Sequence, residues 1–297
     1  MTRRTLLAAA GGAALAQTAS PRYIKGICSM IFPKEMPLEK KFREAKNAGF
    51  DAIELQTGGE LPLATPADDL QRLAEAAQRI GIVVASIWCS DGSGMPPLNS
   101  DDPDTRAKGV EYLKRACEVA SALRCGAMLV VPGRLGSGPK FRYGSDDTWK
   151  RVTAALKEVL PAAEKNRVML TPENVWNKFL VSPLEMRAFV DQFKSPWFQS
   201  QFDTGNCMQY GYPQDWIYTL GPRIKRVHLK DYKLSARAEQ GRFVDLLEGD
   251  VDWKEVMKAF RDVGYQGFMS PEYGPVEGDP DRIWKISKQA DKILAMT

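Results

Sequence analysis

Histidine is almost missing from this chain: among 297 residues there is one, His228. That scarcity excludes any metal cluster assembled from several imidazoles, and it makes the single one a residue to account for. Paired cysteines are missing too. The five present (Cys28, Cys89, Cys117, Cys125 and Cys207) are scattered, odd in number and without a C-x-x-C pair. This spacing gives neither a zinc ribbon nor a disulfide framework, so buried structural thiols are the expectation. Beyond the first twenty residues no apolar run is long enough to cross a bilayer. Charge of one sign is lacking as well: 41 Lys and Arg mix with 37 Asp and Glu for a formal charge of +4, which leaves no electrostatic footprint for nucleic acid or an acidic membrane.

The first twenty residues, "MTRRTLLAAAGGAALAQTAS", read as an export signal. Arg3 and Arg4 form a twin-arginine start, Leu6 to Ala16 is a short apolar run, and Ala14-Leu15-Ala16 is a small-x-small cleavage site. The run is too short and too rich in Ala and Gly to anchor the chain in a membrane. Residues 1–16 are therefore expected to be removed, and the mature chain to work in the periplasm or outside the cell, without an anchor. Loss of Arg3 and Arg4 lowers the formal charge to +2. Residues 21–297 suit one large α/β domain.

Apolar, β-branched runs then alternate with segments of helical period. Eight strands are expected: Tyr23–Cys28, Ala52–Gln56, Val83–Trp88, Ala127–Val131, Val168–Glu173, Gln199–Asp203, Ile224–Leu229 and Gly267–Glu272. A helical segment follows each, often opened by Pro or Asp and closed by glycine, as at Gly49, Gly81, Gly126 and Gly264. Eight such units with no break in composition predict a single (β/α)8 TIM barrel; a doubly wound sheet is the alternative that strand count leaves open.

Active sites of such barrels lie at the C-terminal strand ends. There, strand five closes on Glu173 ("VMLTPEN"), strand six on Asp203 ("SQFDTGN"), strand seven on His228 ("RVHLKD") and strand eight on Glu272 ("GFMSPEY"). Any one of these has an ordinary reading, as a helix cap, a loop carboxylate or a packed histidine. Four on consecutive strands at one rim point instead to one divalent ion held by Glu173, Asp203, His228 and Glu272. Three carboxylates with one imidazole suit Mn²⁺ best, with Mg²⁺, Co²⁺ or Zn²⁺ also accommodated.

At these residues the chain resembles the sugar phosphate isomerase/epimerase group of the xylose-isomerase-like barrels. The likeness runs through "GFDAIEL", "NSDDPDTRAKGVEYLKRACEVASALRCGAMLVV", "TPEN", "FDTGN", "VHLKD" and "LLEGDVDWKEVMKAFRDVGYQGFMSPEY". The resemblance implies that Glu173, Asp203, His228 and Glu272 bind the metal and that Glu173 and Glu272 also transfer protons. A metal that chelates a sugar carbonyl and its neighbouring hydroxyl makes the adjacent C–H more acidic, and two bases on opposite sides invert that carbon. Three positions depart from the ketose 3-epimerases of the group: Asn206, Phe179 and Leu234 stand where those enzymes carry histidine, glutamate and arginine. The sugar pocket is therefore expected to differ. Related apurinic-site endonucleases need several histidines, which this chain does not have.

Around the rim, Glu54, Trp88, Arg134, Trp176, Asn206 and Lys230 are candidate substrate contacts, since aromatic faces beside polar groups suit a sugar. Trp88 is equally readable as core, and Lys230 with Asp231 as a surface ion pair. The glycines of "GRLGSG" suggest a loop over the barrel mouth more than a phosphate cradle. The expected partner is a small-molecule sugar or glycoside, with assembly into a homo-oligomer left open. Three functions fit: a metal-dependent carbohydrate isomerase or epimerase, a lyase or hydrolase-type enzyme that cleaves 3-oxo-glycosides with the same metal and bases, and a non-catalytic carbohydrate-binding barrel.

Overall fold

Strands buried on both faces need neighbours all round, and eight of them satisfy one another by standing parallel in a ring. The computed structural model describes residues 23–137, 140–235, 241–276 and 278–296; the expected export signal lies outside these. The ring strands are β1 Tyr23–Lys25, β2 Ala52–Gln56, β3 Val83–Cys89, β4 Ala127–Val130, β5 Met169–Pro172, β6 Ser200–Asp203, β7 Ile224–Leu229 and β8 Gly267–Pro271. They form two four-stranded parallel sheets, β2-β3-β4-β5 and β1-β8-β7-β6.

Two seams join the sheets. Between β1 and β2, Ile27 N–H donates to Ala52 O at 3.1 Å and Glu54 N–H to Ile27 O at 2.9 Å. Between β5 and β6, Leu170 N–H donates to Trp197 O at 2.8 Å and Gln199 N–H to Leu170 O at 3.0 Å. Those bonds close the barrel and remove the doubly wound alternative. Cys28 and Glu173, expected inside strands, are single bridge residues just past β1 and β5, paired with Glu54 and Gln201.

The outer helices are α1 Leu38–Asn47, α2 Ala67–Ile80, α3 Pro103–Ala122, α4 Ser145–Asn166, α5 Pro183–Asp191, α6 Pro213–Leu220, α7 Trp253–Asp262 and α8 Arg282–Leu294. Side chains meet their free N–H groups: Asp102 accepts from Asp104 and Thr105, Ser182 and Glu185 form a reciprocal capping box, and Asp252 accepts from Glu255. Gly49, Gly81 and Gly264 take positive φ after their helices, as expected. Gly126 does not; Arg124 turns the chain after α3 with φ 57°. The core lies between ring and helices, where Phe202 of β6 stacks on Trp216 of α6 at 6.0 Å and meets Phe260 of α7 at 6.4 Å. All five cysteines are buried and free. Among the described residues no helix is long and apolar enough to cross a membrane.

Two loops differ from expectation. "GRLGSG" contributes to a small antiparallel ladder, Gly136–Ser137 against Lys140–Phe141. After β7, a second ladder pairs Asp231–Lys233 with Arg242–Val244. Asp231 forms no surface pair with Lys230. It is fully buried, and its carboxylate accepts from the N–H groups of Tyr232 (2.9 Å), Leu247 (2.9 Å) and Val251 (3.2 Å) and from Trp253 Nε1 (3.0 Å). The segment "LLEGDVDW" thus wraps around one carboxylate, so closely that a Cβ on Gly249 would lie 2.0 Å from Asp231 Oδ1. Replacing Asp231 by Ala strands several buried donors, each worth about 1–3 kcal/mol. Chemical denaturation should show Asp231→Ala destabilised by at least about 3 kcal/mol; a variant within 1 kcal/mol of the native chain would show that this wrap does not depend on Asp231.

Candidate metal centre

A parallel barrel opens all its C-terminal strand ends on one rim, so residues at those ends are neighbours whatever their separation in sequence. Asp203 ends β6 directly beside His228, the penultimate residue of β7, which in turn pairs with Ser270 of β8 two residues before Glu272. Candidate ligand atoms of Glu173, Asp203, His228 and Glu272 all lie within 4.8 Å of one another. His228 Nδ1 is 2.6 Å from Glu173 Oε1, 3.1 Å from Glu272 Oε2 and 4.0 Å from Asp203 Oδ2. Lys230 completes the cluster, with Nζ 2.6 Å from Glu272 Oε2 and 3.4 Å from Asp203 Oδ2.

The motif "FDTGN" builds its own corner of this rim. Asp203 Oδ1 accepts from the backbone N–H groups of Gly205 (2.9 Å) and Asn206 (2.7 Å), which leaves Oδ2 to face the cluster. Thr204 Oγ1 accepts from Lys230 N at 3.0 Å and donates to Lys230 O at 2.9 Å, tying β6 to β7. Glycine is required at 205, where a Cβ would sit 2.7 Å from Lys230 Cβ. Asn174, after Glu173, grips Asp203 from the other side: its Oδ1 accepts from Asp203 N and its Nδ2 donates to Asp203 O, both at 2.9 Å.

A polar layer lies beneath the rim. On a strand, residues two apart face the same side, so Thr171, Gln201 and Ser270 sit below Glu173, Asp203 and Glu272, and all are buried. Gln201 Nε2 is 2.7 Å from His228 Nε2, Cys28 Sγ is 3.4 Å from the same nitrogen, and Glu54 Oε2 is 3.3 Å from it. Ser86 donates to Glu54 in turn. Glu54 therefore backs the imidazole from inside the barrel and is not on the cavity wall. Burial pushes the Cys28 thiol up to about 12, so it neighbours the histidine as a neutral group.

The electrostatics favour a cation. Burial pushes the Glu173 carboxyl up to about 7, with Glu272 and Asp203 adding to the rise against the pull of His228. Burial raises Asp203 too, against Lys230. Glu272 goes the other way: burial works against its charge, but Lys230 and His228 outweigh it and hold the carboxyl below the usual range. Burial opposes the charged form of His228, yet the surrounding acids outweigh burial and raise it well above its ordinary value. Asp203 Oδ2 is buried and accepts no hydrogen bond. Two buried carboxylates, a third that is mostly buried, and an imidazole fit a divalent cation bound by oxygen and one nitrogen.

A cavity of about 280 Å³ opens above the cluster, lined by Trp88, Ser90, Leu129, Val131, Arg134, Glu173, Val175, Trp176 and Glu272. Trp88, Arg134 and Trp176 are thus on its wall. Asn206 is not: it is buried, its amide donates to Asn174 O at 2.9 Å, and its carbonyl accepts from Trp176 Nε1 at 2.9 Å. Sequence reasoning passed over Asn174, Gln201, Ser86 and Cys28. The period-two rule, applied downward from each rim residue, is the signal that marks Gln201.

A bound ion competes with the proton on Glu173, whose carboxyl burial pushes up to about 7. Mn²⁺ affinity measured by calorimetry should therefore rise with pH and weaken by about tenfold per unit below about 7 for each proton displaced. An affinity flat from pH 5 to 8 would contradict this order of events. His228→Ala should lower Mn²⁺ affinity by at least about tenfold while the barrel stays folded; unchanged metal content in that variant would remove His228 from the ligand set.

Comparison with known proteins agrees with this fold. A family model described as a xylose isomerase-like TIM barrel matches residues 42–290. L-ribulose-5-phosphate 3-epimerase UlaE of Salmonella paratyphi A is 26% identical over 246 residues, covering 80% of this chain and 84% of that one. Among solved structures, D-psicose 3-epimerase with D-tagatose from Clostridium cellulolyticum H10 shares the fold with a TM-score of 0.73 at 20% identity, covering 91% of this chain and 96% of its own. The apo form of 3-keto-D-glucoside 4-epimerase, YcjR, from E. coli does so with a TM-score of 0.74 at 15% identity, covering 92% and 99%. With its closed ring, its four strand-end ligand candidates and a model match over most of its length, the chain belongs to the xylose isomerase-like TIM barrel family.

Proposed function

We propose that this chain is a divalent-metal-dependent carbohydrate epimerase that moves protons at a carbon next to a carbonyl. The observation that carries this reading is that Glu173 and Glu272, just past β5 and β8, belong both to the candidate ligand cluster and to the wall of one cavity. Glu173, Asp203, His228 and Glu272 would hold the ion, Mn²⁺ by donor set, with Mg²⁺, Co²⁺ or Zn²⁺ able to use the same ligands. The ion supplies polarisation of the sugar carbonyl and its adjoining hydroxyl.

The protein residues do the rest. Trp88 and Trp176 offer apolar faces to the C–H side of a sugar ring, and Arg134 offers a cation at the same wall. One glutamate takes the proton and the other returns one from the opposite side, which inverts the carbon. Their surroundings differ in the sense such a pair requires, because Lys230 favours the ionised form of Glu272 and burial favours the protonated form of Glu173. Lys230, beside Glu272, also places a positive charge near an oxyanion developing at that end of the cavity. We infer, too, that the chain is exported already folded, from the twin-arginine pair Arg3 and Arg4 and the short apolar run that follows it.

In D2O, metal-loaded protein offered ketoses, ketose phosphates and 3-oxo-glucosides should wash deuterium into one carbon of its substrate. Glu173→Gln and Glu272→Gln should each slow that exchange by about 10²- to 10⁴-fold. Metal content is measured in parallel so that loss of the ion is separated from loss of the base. Exchange at the native rate in both variants, with metal bound, would refute the assignment of these two glutamates.

A further inference from the structure

The two ring nitrogens of His228 have opposite surroundings. Nδ1 faces the rim, 2.6 Å from Glu173 Oε1 and 3.1 Å from Glu272 Oε2, while Nε2 meets Glu54 inside the barrel. A neutral imidazole carries one proton, so one nitrogen offers an N–H and the other a lone pair. For Nδ1 to give its lone pair to a cation at the rim, Nε2 must hold the proton, and a buried N–H needs an acceptor.

Three side chains reach Nε2: Gln201 Nε2 at 2.7 Å, Glu54 Oε2 at 3.3 Å and Cys28 Sγ at 3.4 Å. Gln201 presents its amide nitrogen, a donor, and so favours the proton on Nδ1, the form that cannot bind a cation there. Glu54 demands the reverse, because a carboxylate only accepts. The thiol of Cys28 is a weak partner in either direction. Glu54 and Gln201 thus oppose each other over one proton, and the charged acceptor makes the stronger bond. Little resists a half-turn of the Gln201 amide that brings its oxygen to the same N–H, since Oε1 is held by Thr171 Oγ1 at 3.5 Å, a long contact.

Glu54 is fixed where it stands. It lies in the middle of β2, in register with Ser86 of β3 and bridged to Cys28 just past β1. Ser86 Oγ donates to the same Oε2 that faces the histidine. The other oxygen, Oε1, is buried and has no hydrogen bond. Such a half-satisfied buried carboxylate costs stability. Off the cavity wall, its charge is spent on the imidazole and not on a substrate.

We propose that Glu54 is a positioning residue of the metal centre: it accepts the Nε2–H of His228 and so holds the Nδ1 lone pair towards Glu173, Asp203 and Glu272. The assignment rests on the reading of the rim cluster as a metal centre. A negative charge behind the ring also makes Nδ1 a better electron donor.

Because His228 is the sole histidine, protein labelled with ¹⁵N-histidine shows two ring nitrogens and no others. In chains loaded with diamagnetic Zn²⁺, NMR should find the ring proton on Nε2, with a downfield signal that moves upfield in Glu54→Gln and Glu54→Leu. Calorimetry should show Mn²⁺ binding about 10- to 100-fold more weakly in Glu54→Leu. The near-isosteric Glu54→Gln keeps an acceptor oxygen without the charge; it should fall between the two, and it carries the test if the leucine variant does not fold. Melting curves identify the folded variants. Native Mn²⁺ affinity in a folded variant would overturn the role of Glu54 and leave the metal centre standing. A ring proton on Nδ1 in the loaded native chain would overturn it as well. Failure of the native chain to bind any divalent ion would overturn the metal centre and this assignment with it.

Discussion

Holding three carboxylates, two buried and the third mostly so, around one imidazole is the constraint on which the rest of this barrel turns. Glu173, Asp203 and Glu272 repel one another in a place that water barely reaches, and such a set persists only if positive charge meets it. His228 and Lys230 bring positive charge to within 2.6 Å of Glu173 and Glu272 respectively. The backbone beneath is arranged to hold the acids in place. "FDTGN" fixes one Asp203 oxygen with two N–H groups and ties β6 to β7 through Thr204, while Asp231 gathers the chain that leads into α7.

The order of elements was legible because alternating periodicity, prolines at helix starts and glycines at several helix ends each report a local preference. Eight strands and eight helices follow from such signals, and the rim rule then places Glu173, Asp203, His228 and Glu272 on one edge. Closure was not legible, since the seams at Ile27–Ala52 and Leu170–Trp197 are hydrogen bonds between backbones and leave no mark on side-chain pattern. The direction in which a rim side chain points was only partly legible. Glu54 carries the same chemistry as Glu173 but lies behind His228, and Asn206 spends its amide on Asn174.

The three departures from the ketose 3-epimerase pattern acquire a physical meaning. Phe179 is buried against Trp149 at 6.3 Å and Phe189 at 5.9 Å, in the layer between ring and helices. Leu234 is half exposed with its N–H bound to Asp250, and Asn206 serves the β5–β6 corner. None of the three is on the cavity wall, which is finished instead by Trp88, Arg134 and Trp176. The barrel thus retains acids suited to proton transfer while its pocket is shaped by aromatic surface, a separation of chemistry from recognition that barrel loops permit.

The most direct test of the central claim is anomalous diffraction at the manganese edge from crystals grown with Mn²⁺. One peak per chain among Glu173, Asp203, His228 and Glu272, with the Lys230 ammonium moved away from Asp203, is the predicted result. No peak there, with Lys230 still seated between Asp203 and Glu272, would contradict it and leave the cluster a self-neutralised ion network.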